Sequence, residues 1–189
     1  VSGYSGVGKS AIVEYVKEKM KGKRVHFISG KFDQLQQARP LSAMNAAFIE
    51  YTNSIIQQGP TTCLETKKAV INAINTDVGV LTDVFPCLCK IIGKPQTAPI
   101  EVGSIAAQNR FKFIFQKFVQ AIATPSHPII MFIDDLQWAD NFSMELVSIL
   151  VANIDVRNFL FIGSYREDQI GADYPLAVQM RELECKKGA

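Results

Sequence analysis

The sequence has almost no excess charge. Its 189 residues carry 20 Lys and Arg against 18 Asp and Glu, a formal net charge of +2. That balance gives no support to nucleic acid or an acidic membrane surface as a partner. Long apolar runs are missing too. The longest, around 128–133, suits a strand and falls far short of a membrane span. There is no internal repeat and no low-complexity linker. Neither an initiator Met nor a signal peptide is present, and a fragment could have lost either. Cysteine is scarce: Cys63, Cys87, Cys89 and Cys185, of which only Cys87 and Cys89 are close. The two histidines, His26 and His127, stand far from that pair, and no second pair completes a zinc site. The cysteines therefore read as small, mostly apolar residues with reduced thiols, in a cytoplasmic setting.

What is present is an alternation of strand-like and helix-like segments. The spacing predicts helices over 11–20, 42–58, 62–75, 104–123, 142–154 and 176–185. The stretch 77–92 is apolar and reads as helical, broken near Pro86. Gly59-Pro60 separates two helices, 93–103 reads as a loop, and Asp140 is placed to cap the helix that follows it. Strands are expected over 25–29, 129–135 and 159–165. "IIMFIDD" and "FLFIGSYR" are apolar on successive residues, which marks strands buried on both faces. The expected fold is α/β and doubly wound, with a parallel sheet.

Three motifs carry chemistry. "GYSGVGKS", residues 3–10, matches G-x-x-x-x-G-K-[ST] through Gly3, Gly8, Lys9 and Ser10. Glycines let backbone N–H groups approach phosphate oxygens, and the helix that starts there adds its positive end. The candidate nucleotide-binding residues are Gly3, Tyr4, Ser5, Gly6, Val7, Gly8, Lys9, Ser10 and Ala11. Lys9 would reach the β- and γ-phosphates of ATP, and Ser10 would ligate Mg²⁺. "IIMFIDD" ends in Asp134 and Asp135. Asp134 is the candidate metal holder, and Asp135 the candidate base that polarises the attacking water. "FLFIGSYR" places Ser164 and Arg166 two apart on one side. Arg166 is the candidate cation at the γ-phosphate, and Ser164 a further nucleotide contact.

The chain resembles the origin-recognition-like AAA ATPase module of the STAND class, signal-transduction ATPases with numerous domains. "GYSGVGKS", "FIDDLQWAD", "FIGSYRED", "ISGKFDQLQQARPLSAM" and "AAQNRFKFIFQKF" carry the resemblance, which covers nearly the whole chain. It is most similar to the ATPase module of large sensors that join a kinase-like region, GAF domains and a histidine kinase. The resemblance implies a P-loop NTPase of the ASCE/AAA type, a three-layer sandwich around five parallel strands. It also implies that most of the first strand lies before Val1, that a lid and winged helix follow the Arg166 strand, and that 1–189 is an internal piece of a multidomain protein.

Expected function follows. The protein binds Mg-ATP and hydrolyses it slowly as a conformational switch. The alternative is a nucleotide-dependent interaction scaffold with little or no hydrolysis. A DNA-acting AAA protein and a small-molecule kinase fit less well. Partners are ATP or ADP, other domains of the parent chain, and a second copy in a nucleotide-dependent self-association. Nucleic acid and a membrane segment are not expected. Trp138 either flanks the pocket or packs after the strand. Asp33 either joins the outer shell or is a turn residue. Arg110 has no role beyond partnering an acid, and the basic run at 17–24 reads as a solvated helix end.

Overall fold

The computed structural model describes residues 1–4, 6–34, 39–94, 105–152, 158–170, 177, 178 and 181. Ser5, most of the expected loop over 93–103, residues 153 and 154, and the expected helix over 176–185 apart from 177, 178 and 181 lie outside that set.

Three strands form a parallel sheet in the order β1-β2-β3: β1 His26–Lys31, β2 Ile129–Asp134 and β3 Phe159–Gly163. Seven helices are described: α1 Lys9–Met20, α2 Ser42–Gln57, α3 Pro60–Ile74, α4 Val78–Val84, α5 Cys89–Ile92, α6 Ile105–Ile122 and α7 Asn141–Ala152. Parallel neighbours need helical crossovers, and α2–α6 and α7 supply them. Beyond β3, Ser2 forms a parallel bridge with Tyr165, so the residues before the glycine-rich loop occupy the next position in the sheet. The described sheet is thus three strands plus that bridge, where the resemblance implies five strands.

The local reasons are chemical. α3 begins at Pro60, two residues earlier than its apolar spacing predicts, because proline suits the first helical turn. The 77–92 stretch breaks at Phe85-Pro86, with a short 3₁₀ turn over Pro86–Leu88 before α5. Asp140 caps α7 by accepting from the Ser143 N–H at 2.9 Å. The phenylalanine stripe of α6 is core: Phe111, Phe115 and Phe118 are fully buried against Phe48 and Phe85, with Phe48 and Phe85 ring centroids 4.8 Å apart. Each such ring contributes about 1.5–3 kcal/mol on burial.

β1 borders the described sheet and is covered by α2. The His26 and Phe32 amides donate to carbonyls of Pro128 and Asp134, so the Ser29 amide faces outward. Glu50 of α2 accepts it at 2.6 Å and also pairs with Lys17 of α1 at 2.7 Å. Lys17 is therefore a tie between elements rather than part of a solvated helix end. Gly30 lets α2 approach this closely, since a Cβ there would lie 1.9 Å from the Ala43 carbonyl oxygen. Gly30→Ala is expected to destabilise the fold by about 1–3 kcal/mol. An unchanged denaturation midpoint would contradict that packing.

β2 is buried at every position but Ile130, whereas β3 is not. Leu160 is 52% exposed, and the other β3 residues are only partly buried. The expectation that both strands are buried on both faces is corrected for β3, which borders the described sheet with only the Ser2 bridge beyond it.

His26 is buried where β1 begins, with Nδ1 3.1 Å from Ser54 Oγ and its ring 5.8 Å from that of His127. Burial first, and the charge of His127 second, hold its pKa below the ordinary 6.5. The folded state binds fewer protons here than the unfolded chain, so this contribution is complete above pH 6.5 and declines as pH falls from there through the folded value. His26→Gln is expected to flatten the fall of the urea midpoint between about pH 8 and pH 5. An equal slope in both proteins would place the titration elsewhere.

Candidate functional site

All three chemical motifs meet at the carboxyl edge of the sheet, where parallel α/β sheets bind ligands. The glycine-rich loop lies between the Ser2 bridge and α1. Gly6 and Gly8 take left-handed backbone at φ 79° and 92°, conformations that glycine adopts without strain. Gly8 is the cap of α1, and its carbonyl accepts from Ile12 at 3.0 Å. Lys9 is 8% exposed, and its ammonium donates to the carbonyls of Gly3 at 2.7 Å and Tyr4 at 2.9 Å. Two of its three donors are thus fixed within the loop, and the residue also lines the cleft described below. The Tyr4 and Val7 side chains point to solvent and contribute only backbone to the loop.

The loop and the acid pair touch. Ser10 Oγ donates to Asp134 Oδ2 at 2.9 Å, across 124 residues of chain. The other carboxylate oxygen of Asp134 accepts from Ser164 Oγ and, at 3.0 Å, from the Asp135 N–H. Ser164 is fully buried and is not among the residues that line the cleft described below. Its hydroxyl is taken up in orienting Asp134.

Asp135 has φ 56° and ψ 48°, a left-handed conformation that aspartate tolerates better than most residues. That turn aims its carboxylate at three groups. Gln137 Nε2 donates to Oδ1 at 2.8 Å, Arg166 Nε lies 3.4 Å from Oδ1, and Lys31 Nζ lies 3.1 Å from Oδ2. Burial raises the Asp135 pKa, but the bonds from Gln137 and Lys31 and the charges of Lys31 and Arg166 outweigh it and hold it below the ordinary carboxylate value. Lys31 is raised in turn, chiefly by its hydrogen bond to Asp135.

A cleft of about 220 Å³ is lined by Gly6, Gly8, Lys9, Ser10, Ala11, Lys31, Asp134, Asp135 and Arg166. The loop and the acid pair therefore share one space. On the far side of Lys31, Asp135 and Arg166 lies a second, polar cleft of about 540 Å³, lined also by Phe32, Asp33, Gln34, Trp138 and Gln169. Trp138 both flanks this cleft and packs against the core. Arg110 pairs with Asp77, and neither residue lines either cleft.

A match to the AAA ATPase domain extends over residues 1–162. The chain belongs to the AAA ATPase domain family. Membership fits nucleotide binding. A hybrid signal transduction histidine kinase G of Dictyostelium discoideum is 34% identical over 151 residues. The match takes in 80% of this AAA chain and 4% of that relative. No solved structure matches the chain. Among the described residues, no helix of this AAA domain is long and apolar enough to cross a membrane.

Two residues of the AAA site escape the motif reading, Lys31 and Gln137. Lys31 sits in "GKFDQ" opposite Asp134 in the β1–β2 register, and Gln137 sits in "DDLQWAD". The register of the parallel pair is the signal that brings Lys31 to the acids. Hard oxygen donors, Ser10 Oγ and Asp134, suit Mg²⁺, which is commonly held by one or two protein groups with phosphate and water completing the shell. Among the described residues no group of three His, Cys, Asp or Glu is placed to hold a metal by itself.

Proposed function

We propose that this domain binds Mg-ATP and hydrolyses it slowly, as a conformational switch inside a multidomain signalling protein of the STAND class. The observation that carries this reading is the Ser10–Asp134 contact at 2.9 Å, which puts a loop hydroxyl and a strand-end carboxylate on one point of the phosphate cleft. Lys9 neutralises the β- and γ-phosphates. Ser10 and Asp134 hold Mg²⁺, and Ser164 orients Asp134. Asp135 accepts the proton of the attacking water, and Arg166 meets the charge that develops on the γ-phosphoryl group. When bound, Mg²⁺ neutralises charge shared between the β- and γ-oxygens. The relative's name supports a signalling role, with the remaining domains of the parent chain as the readout. Nucleotide-dependent self-association and a cytoplasmic setting belong to the same proposal.

The scaffold reading, binding with little or no hydrolysis, has its own support. Asp135 is tied to two cations and its pKa is depressed, which makes it a weak base as it stands. Calorimetry of ATP with and without Mg²⁺, together with turnover of the full-length protein, separates the outcomes. Mg-dependent binding with turnover is expected. Binding without turnover selects the scaffold, and no binding overturns both.

A further inference from the structure

We propose that Gln137 is a positioning residue that ties the carboxylate of Asp135 to the backbone of Arg166, so that the two sides of the site act as a unit. The proposal rests on the hydrolytic reading above. Gln137 follows β2 and is 1% exposed. Its Nε2 donates to Asp135 Oδ1 at 2.8 Å, and its Oε1 accepts from the Arg166 N–H at 3.2 Å. One side-chain amide thus bridges the end of β2 and the segment after β3. Burying an amide is costly unless its polar ends are bonded. Methionine would fill a similar volume without that requirement.

The geometry shows what the bridge does. The Asp135 N–H is held by Asp134 Oδ1 at 3.0 Å and Ser164 Oγ at 3.4 Å, which fixes its backbone and leaves its carboxylate free to turn. The cations on that carboxylate are the mobile kind. The Lys31 side chain is 63% exposed and that of Arg166 is 33% exposed, and both stand on the border of the phosphate cleft. Either can leave Asp135 for a phosphate oxygen. Gln137 is buried, carries no charge to be drawn away, and keeps Oδ1 in place while the cations exchange partners. Its Oε1 bond meanwhile holds the Arg166 backbone, so the guanidinium swings from a fixed pivot.

The test compares the full-length protein with Gln137→Met, which removes both bonds, and Gln137→Glu, which keeps the acceptor and loses the donor. ATP affinity, turnover and amide hydrogen exchange at Arg166 are measured in each. The Met variant is expected to bind ATP within about threefold of the parent, to lose about tenfold to a hundredfold in turnover, and to exchange the Arg166 amide faster. The Glu variant is expected to keep that amide protected and still lose turnover. Parental turnover in the Met variant, or parental protection at Arg166, overturns the proposal. So does a loss of turnover matched by equal losses in ATP affinity and thermal stability, which would make Gln137 a packing residue. Should the Met variant not fold, the Glu variant decides: protection with lost turnover upholds the bridge, and parental turnover overturns it. A parent that binds ATP without turnover defeats the hydrolytic reading alone. The exchange comparison then decides the bridge, with faster exchange in Met only upholding it and equal exchange in all three overturning it.

Discussion

Lys9→Ala in the full-length protein is expected to weaken ATP binding by about 1.5–3 kcal/mol, roughly tenfold to more than a hundredfold in Kd. The loss has two sources. One is the charge-assisted contact to phosphate that the ammonium supplies. The other is internal to the loop. Lys9 Nζ donates to the Gly3 and Tyr4 carbonyls at 2.7 and 2.9 Å, so its side chain also braces the arc in which Gly6 and Gly8 turn. Alanine removes both, and ordering a loosened loop then draws on binding energy. Helix α1 itself should persist, because alanine is a strong helix former at that position. Calorimetry on parent and variant reads the effect directly, with circular dichroism as the check on folding. Unchanged affinity in a folded variant would sink the phosphate-loop assignment.

The parts of this site that the sequence exposes are those whose chemistry is local. A glycine-rich loop opening a helix, and an apolar strand ending in two acids, each carry their reason in a few consecutive residues. Their meeting, Ser10 against Asp134, was legible because the helix that the glycine-rich loop opens and the acid end of β2 fall at the same edge of a parallel α/β sheet. Lys31 and Gln137 were not legible in that way. A lysine at a strand end reads as solvated until the register pairs it with Asp134, and a glutamine in a turn reads as polar surface until it proves 1% exposed. Glu50 is similar. On its own helix it is an exposed charge, and only the place of β1 at the border of the described sheet makes it the partner of the Ser29 amide. β3 went the other way: its apolar run promised two covered faces, and its place at the border of the described sheet leaves Leu160 exposed.

Asp135→Asn is expected to slow hydrolysis by about 10²–10⁴-fold while Mg-ATP binding is kept or slightly strengthened. Asparagine tolerates the left-handed backbone at φ 56° as well as aspartate does, so the turn after β2 should survive. The metal-side contacts run through Asp134 and Ser10 and are untouched. Lys31 and Arg166 now lie 3.1 and 3.4 Å from the Asp135 carboxylate, and losing that anion frees both for phosphate oxygens. The rate is another matter. The cations that depress the Asp135 pKa make it a poor proton acceptor, and a γ-phosphate that draws them off would restore its basicity when a water stands to be activated. Coupling of this sort would make turnover slow and dependent on the loaded state, as the proposed switch requires. Asparagine cannot take the proton in either state. The measurement is steady-state turnover beside ATP affinity on the same preparations. Equal turnover in variant and parent would remove Asp135 as the base, and a parallel collapse of affinity would move it to the metal side of the site.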